Sequence, residues 1–225
     1  GLVHKRLSII DLSSAGRQPL CNEDETVWLT YNGECYNFQP LCDSLQSFGH
    51  RFVSKTDSEV IVHGYEEWGI ENLLSRLNGM FAFALWDDKA ETLVLARDRL
   101  GKKPLYYTVT EERELVFASE IKALAAAGYI DPDDIDIGSL IQFWCYGYST
   151  GPQTMYKGVF RLQPGHYAMY KKGEFSEHKY WDVMFGTDEF ADRQIDDLGD
   201  ELESLLMDAI RLRLISDAEV GVFLS

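Results

Sequence analysis

Residues 29–38 read LTYNGECYNF, and the fold turns on what Asn32-Gly33 does in the middle of them. Asn-Gly between strand-like runs usually makes a tight hairpin turn, because both residues tolerate positive φ. Here Glu34 and Cys35 follow at once, and β-forming residues flank the pair on both sides. Two readings are open. Residues 27–31 and 34–38 are separate strands joined by a turn, or they form one strand whose Asn-Gly faces a ligand.

Working outward, Leu7, Ile9 and Asp11 alternate with Ser8, Ile10 and Leu12, which reads as a mostly buried strand. Thr56-Asp57-Ser58-Glu59 has the spacing of a capping box and predicts a helix start. Ile61, Tyr65 and Trp68 then share a face, and a second helix carries Ile70, Leu73, Leu74 and Leu77 with Gly79 placed to end it. Residues 80–86 and 92–97 flank the polar Asp87-Asp88-Lys89 and read as a hairpin. Residues 105–109 with 115–118, and 166–170 with 175–180, read as two more. Ser119 is placed to cap a short helix, and residues 136–146 look helical. Hairpins outnumber any βαβ pattern, so the expected class is α+β, with antiparallel sheets and helices packed outside.

The character changes after Trp181. Residues 185–193 are polar and lack apolar periodicity. Ile195, Leu198, Leu202, Leu205, Ala209 and Leu212 then mark one face of a long helix, acidic early and basic late. An apolar run at 220–224 follows and reads as a buried strand of the parallel type. The expected organisation is a first domain over 1–182, a linker over 183–194, and the start of an α/β domain over 195–225. Gly1 begins without Met, and the apolar run has no stop signal, so the sequence reads as an internal piece of a longer chain.

The 225 residues are 45% hydrophobic, enough for a sizeable core. Lys and Arg total 21 against 37 Asp and Glu, a net charge of −16, which disfavours nucleic acid and anionic membrane surfaces as partners. Cys21, Cys35, Cys42 and Cys145 form no C-x-x-C pair and have no histidine at ligand spacing beside them, so neither cysteine-bound zinc nor a disulfide framework is expected. Neither a signal peptide nor an apolar run of ~18 residues is present, and a reduced, cytoplasmic setting is the expectation.

Taken singly, the candidate site residues have bland readings. Arg6 reads as an edge arginine of its strand, Asp57 as an N-terminal helix residue, and Cys35 as a small buried hydrophobe. Arg97-Asp98-Arg99 and Lys102-Lys103-Pro104 read as a solvated loop. Their combination says more. HKRLSIIDLSSAGRQPL, YNGECYNF, KTDSEVIVHGYEEWG, LNGMFAFALWD, LARDRLGKKPLYY, FASEIKAL and SDAEVGVFLS occur in one order across the whole chain. That order resembles the glutamine-hydrolysing asparagine synthetases.

The resemblance implies a class II glutaminase of the N-terminal-nucleophile type, an antiparallel four-layer αββα sandwich, followed by an ATP-pyrophosphatase synthetase domain. It implies that Asn32 (side-chain amide) and Gly33 (backbone N–H) form an oxyanion hole, with Glu34 lining the glutamine site. Arg6 would pair with the α-carboxylate and Asp57 with the α-ammonium, and the backbone of Leu7, Ser8, Ile9 and Ile10 would line the same pocket. A planar guanidinium fork suits a carboxylate better than lysine does.

The family's nucleophile is an N-terminal cysteine that none of the four cysteines matches. The family's pyrophosphate loop for ATP follows a strand like VGVFLS, and Leu224 and Ser225 are what this chain carries of it. Implied substrates are glutamine, aspartate and ATP, with Mg²⁺ accompanying ATP, no cofactor in the glutaminase part, and a homodimer as one assembly. As it stands, the chain is expected to be inactive. A relative acting on another carboxylate, or a non-catalytic amino-acid-binding module, are the alternatives.

Overall fold

The computed structural model describes residues 1–186 and 193–221. Its elements in order are β1 (Leu20–Cys21), β2 (Val27–Cys35), α1 (Phe38–Ser47), α2 (Glu59–Arg76), β3 (Gly79–Asp87), β4 (Thr92–Arg97), β5 (Tyr106–Val109), β6 (Leu115–Ala118), α3 (Ile121–Ala126), α4 (Ile137–Tyr146), β7 (Phe160–Arg161), β8 (His166–Lys171), β9 (Glu174–Lys179) and α5 (Ile195–Arg213). They build a six-stranded sheet in the order β1-β2-β3-β4-β8-β9 and a three-stranded sheet in the order β6-β5-β7, with every pairing antiparallel. The three predicted hairpins are all present, and the class is α+β.

Asn32-Gly33 is not a turn. Strand β2 runs through it, in register with β3 from Val27 opposite Asp87 to Cys35 opposite Gly79. The predicted strand at 34–38 stops at Cys35, and α1 starts at Phe38 instead. Pro40 falls in the first turn of α1, where its missing N–H breaks no helical bond. Nothing in the sequence pattern announced this helix.

Four further expectations are corrected. Residues 1–13 belong to no sheet; Leu7 is 85% exposed, and the parity of the segment puts Leu2, His4 and Arg6 inward. A strand shifted by one residue presents its other face, and here the arginine takes the inward position. The box at 56–59 does not cap α2 from Thr56. Helix α2 begins at Glu59 behind Ser58, which makes no side-chain cap bond, and Glu59 instead accepts from Val53 N and Ser54 N at 2.7 and 2.8 Å. Gly79 opens β3 rather than ending a helix, whereas Gly69, with φ of 70°, divides α2 into the two helical stretches expected. Ser119 does not cap α3, whose N-cap residue is Glu120.

Helix α5 has the expected length and charge order, yet none of its residues is buried. Residues 187–192 of the predicted linker and 222–225 of the predicted final strand lie outside the described residues, and with them Leu224 and Ser225.

Three cores stack in sequence. One joins the six-stranded sheet to α1 and α2 through Leu29, Tyr31, Leu45, Ile61, Leu74, Phe81 and Phe83. A second lies between the two sheets, with Ala82, Ala84 and Leu95 against Leu105, Tyr107 and Leu162. A third sets α3 on the smaller sheet through Leu124, Ile121, Val116 and Ala118.

The β2–β3 contact is close enough to exclude side chains at two positions. A Cβ on Gly33 would sit 2.2 Å from Met80 O, and one on Gly79 would sit 2.3 Å from Glu34 O. Both neighbours are backbone and cannot rotate away. Gly33→Ala should therefore destabilise the protein by roughly 2–3 kcal/mol or more through overpacking, read as a lower urea midpoint at unchanged slope. A midpoint equal to wild type would show that the ladder yields.

Candidate functional site

Because β2 is unbroken, its side chains alternate between two cores. Tyr31 and Cys35 face the helices. Thr30, Asn32 and Glu34, opposite Ala84, Ala82 and Met80, face the smaller sheet. On that side lies a cavity of about 640 Å³. It is lined by Arg6, Leu7, Ile9, Ile10, Asn32, Gly33, Glu34 and Asp57 among the sequence-predicted residues. Ser8 does not line it.

Backbone donors also converge here. Tyr31 N–H donates to Gln18 Oε1 at 2.6 Å, and Cys35 N–H donates to Asp57 Oδ2 at 2.7 Å. Amides two apart on a strand project to the same edge, so the Gly33 N–H points between these two, away from β3. The side-chain amide of Asn32 makes no hydrogen bond within the described residues. An amide side chain and a main-chain N–H therefore border the cavity at adjacent positions.

Arg6 reaches the cavity from the irregular N-terminal segment. Its Nη2 donates to Ile10 O and Asp11 O at 2.7 and 2.9 Å, which folds the 10–13 turn around the guanidinium. A Cβ on Gly16 would lie 2.6 Å from Arg6 Nη1 and 2.5 Å from Thr56 Cγ2, so the absence of a side chain there leaves the guanidinium its place. Asp57, just before α2, is 8% exposed. Burial pushes its carboxyl up to about 6, against the lowering effect of the Cys35 N–H and Tyr31 O–H bonds. The cavity thus has a cationic and an anionic group, and the anionic one is incompletely compensated.

Sequence reasoning passed over the far wall, made by Lys103, Pro104, Leu105, Phe117, Ser119 and Glu120. Arg97 and Asp98 organise it and are not a solvated pair. Arg97 donates to Lys103 O, Leu162 O and Gly101 O at 2.6–2.7 Å. The Asp98 carboxylate accepts from the N–H groups of Phe81, Leu100, Lys102 and Lys103. A buried charge paired only to backbone holds a loop in one shape. The signal available was the RDRLGKKP run itself, whose charges lack the spacing of a helix face.

None of the four cysteines lines the cavity. Cys35 does share a face with Gly33, as alternation requires, but that face is the helix side. Its Sγ lies 3.3 Å from Asn37 Oδ1, and burial followed by the Asp57 charge pushes its thiol far up, away from the thiolate form.

Residues 1–181 match the family described as the glutamine amidotransferase domain. Asparagine synthetase [glutamine-hydrolyzing] 3 of Bacillus subtilis is 40% identical over 99% of this chain and 36% of that protein. Amidase chry2 of Gibberella zeae is 37% identical over 100% of this chain and 33% of that protein. The solved structure of glutamine phosphoribosylpyrophosphate amidotransferase from B. subtilis superposes with a TM-score of 0.59 at 20% identity, covering 80% of this chain and 35% of that one, a likeness of fold. The chain therefore belongs to the glutamine amidotransferase domain family. It spans about a third of the length of the curated relatives it matches.

Asp57 sets a pH dependence with an unusual sign for a carboxylate. Its folded pKa of about 6 lies above the ordinary 3.8, so the folded state holds the proton longer than the unfolded chain does. Stability attributable to Asp57 is full below about pH 4, falls as pH rises through about 6, and stays lost above that. Asp57→Asn should raise stability at pH 8 by roughly 1–3 kcal/mol and leave it unchanged near pH 3.5. Urea melts at the two pH values check this; a loss at pH 8 would refute it.

Proposed function

We propose that residues 1–182 form the glutaminase unit of a glutamine-dependent asparagine synthetase, with residues 183–194 a linker and 195–225 the start of the synthetase domain. The single observation that carries this reading is the convergence of Arg6, Asp57, Asn32 and Gly33 on one cavity. A four-layer αββα order is supported by the three stacked cores, each joining neighbouring layers.

Glutamine lies with its α-carboxylate on the Arg6 fork and its α-ammonium on Asp57, which ionises when the ammonium arrives. The backbone of residues 7–10 closes the near side. The carboxamide reaches Asn32 and Gly33. A thiolate supplied from before Gly1 adds to the carboxamide carbon, and the negative charge on oxygen is held by the Asn32 amide and the Gly33 N–H. The nitrogen takes a proton and leaves as ammonia; water then hydrolyses the thioester to glutamate. Ammonia serves the ATP-dependent amidation of aspartate through an acyl-adenylate. Leu224 and Ser225, proposed to border the pyrophosphate of ATP with its Mg²⁺, are outside the described residues, and no step here depends on them.

Free ammonia bypasses this cavity, which separates a catalytic role from a structural one. In the full-length protein, Asn32→Ala should lower glutaminase turnover about 10²–10³-fold while ammonia-dependent asparagine formation persists. Equal losses in the two assays would assign Asn32 to stability. Cys35→Ala should leave thiol-dependent ammonia release from glutamine within a few fold of wild type; its loss would make Cys35 the nucleophile. The relatives named as amidases favour a second reading, an acceptor other than aspartate. Formation of asparagine and AMP from aspartate, ATP and ammonia decides between them.

A further inference from the structure

We propose that the histidine–carboxylate cluster in the N-terminal half of α2 is a divalent transition-metal site of the Zn²⁺ type, with His63, His50 and Glu66 as ligands and Glu23 in reach as a fourth. It is separate from the cavity described above, none of whose lining residues belongs to it. Potential ligand atoms of His50, His63 and Glu66 all lie within 4.8 Å of one another.

The observation that points to an ion is the imidazole of His63. Its side chain is 2% exposed, and its Nδ1 is buried without a hydrogen-bond partner. That nitrogen faces Glu66 Oε2 at 3.5 Å and Glu23 Oε2 at 3.8 Å. A buried nitrogen without a partner is costly, and two carboxylate oxygens approach it without forming a hydrogen bond. Tetrahedral bonds of ~2.0–2.1 Å place ligand atoms about 3.3–3.4 Å apart, so the two nitrogen–oxygen separations need to close by only a few tenths of an ångström.

The surroundings have the order of an outer shell. On the far side of the ring, His63 Nε2 lies 3.5 Å from Glu59 Oε1. A carboxylate there holds the proton on Nε2 and leaves the Nδ1 lone pair free, as in carboxylate–histidine–metal triads. Glu59 is itself held by Val53 N and Ser54 N. Glu66 is oriented by Asn22 Nδ2, which donates to its other oxygen, Oε1, at 2.7 Å. His50 Nε2 lies 3.3 Å from Glu67 Oε2.

Helical spacing of three sets His63 and Glu66 on one face of α2. The 22–25 loop and the segment after α1 bring Glu23 and His50 to it. The nearby cation Lys89 is bound to Asp24 at 2.7 Å and reaches Glu66 only through space. Two imidazoles with carboxylate oxygens suit Zn²⁺ or Co²⁺ better than Mg²⁺ or Ca²⁺. Such an ion would staple three segments together at the N-terminal half of α2, the helix that follows Asp57.

The test uses the full-length protein stripped with a chelator and titrated with Co²⁺ and Zn²⁺. Wild type should take up one Co²⁺ per chain with the visible bands of tetrahedral coordination, displaced by Zn²⁺, and Zn²⁺ should raise the melting temperature. His50→Asn and Glu66→Gln, both at incompletely buried positions, should each weaken uptake at least 10-fold and remove the bands. His178→Asn, on β9, should change neither. Absence of the bands in wild type, or equal uptake by wild type and the two variants, would overturn the proposal and leave the cluster an imidazole held among carboxylates.

Discussion

The uninterrupted course of β2 through Asn32-Gly33 is the constraint on which the rest depends. A strand has two faces, and once β2 and β3 are in register from Val27 to Cys35, every side chain on β2 is assigned to one of them. Odd positions go to the helices and build a core. Even positions go to the space between the sheets and border a cavity. Asn32 and Cys35 are three residues apart and are separated by the sheet. The register needs backbones closer than any side chain permits at Gly33 and Gly79, which is why a pair suited to a turn is found in a strand.

The edge of β2 beyond short β1 is the second consequence. With β1 covering only Leu29 and Trp28, the N–H groups of Tyr31, Gly33 and Cys35 have no strand to bond. Gln18 takes the first and Asp57 the third. A sheet edge left open at one point is thereby turned into a donor facing a cavity. Asp57 couples this edge to the start of α2, and its carboxylate remains buried and incompletely stabilised. That is an unfavourable arrangement for stability and a favourable one for an ammonium group.

Carbonyl-bound arginines shape the rest of the cavity. Arg6 curls the 10–13 turn around itself, and Arg97 gathers the carbonyls of Gly101, Lys103 and Leu162. In both cases a planar fork of donors gives a loop one conformation. The walls of the cavity are loops held by charge-assisted bonds to backbone, mounted on sheets held by apolar cores.

The sequence by itself determined the hairpins, the α+β class, the two helical stretches either side of Gly69 and the long helix over 195–213, and its ordered motifs pointed to a glutamine amidotransferase. Each of these rests on local chemistry: period-two or period-3.6 patterning, turn residues between runs, or charges placed along a helix dipole. Only the tertiary structure decided that Asn32-Gly33 is strand, that α1 follows it, that Arg6 rather than Leu7 turns inward, and that Cys35 faces the helices and not the cavity. Arg97 and Asp98 read as solvated because their partners are carbonyls and amides, which every residue carries and no sequence pattern displays. His50, Glu23, His63 and Glu66 come from separate segments, so the grouping exists only once α2 has packed beside the 22–25 loop. Contacts between distant segments depend on register and layer order, which are properties of the assembled sheets and not of any window of residues.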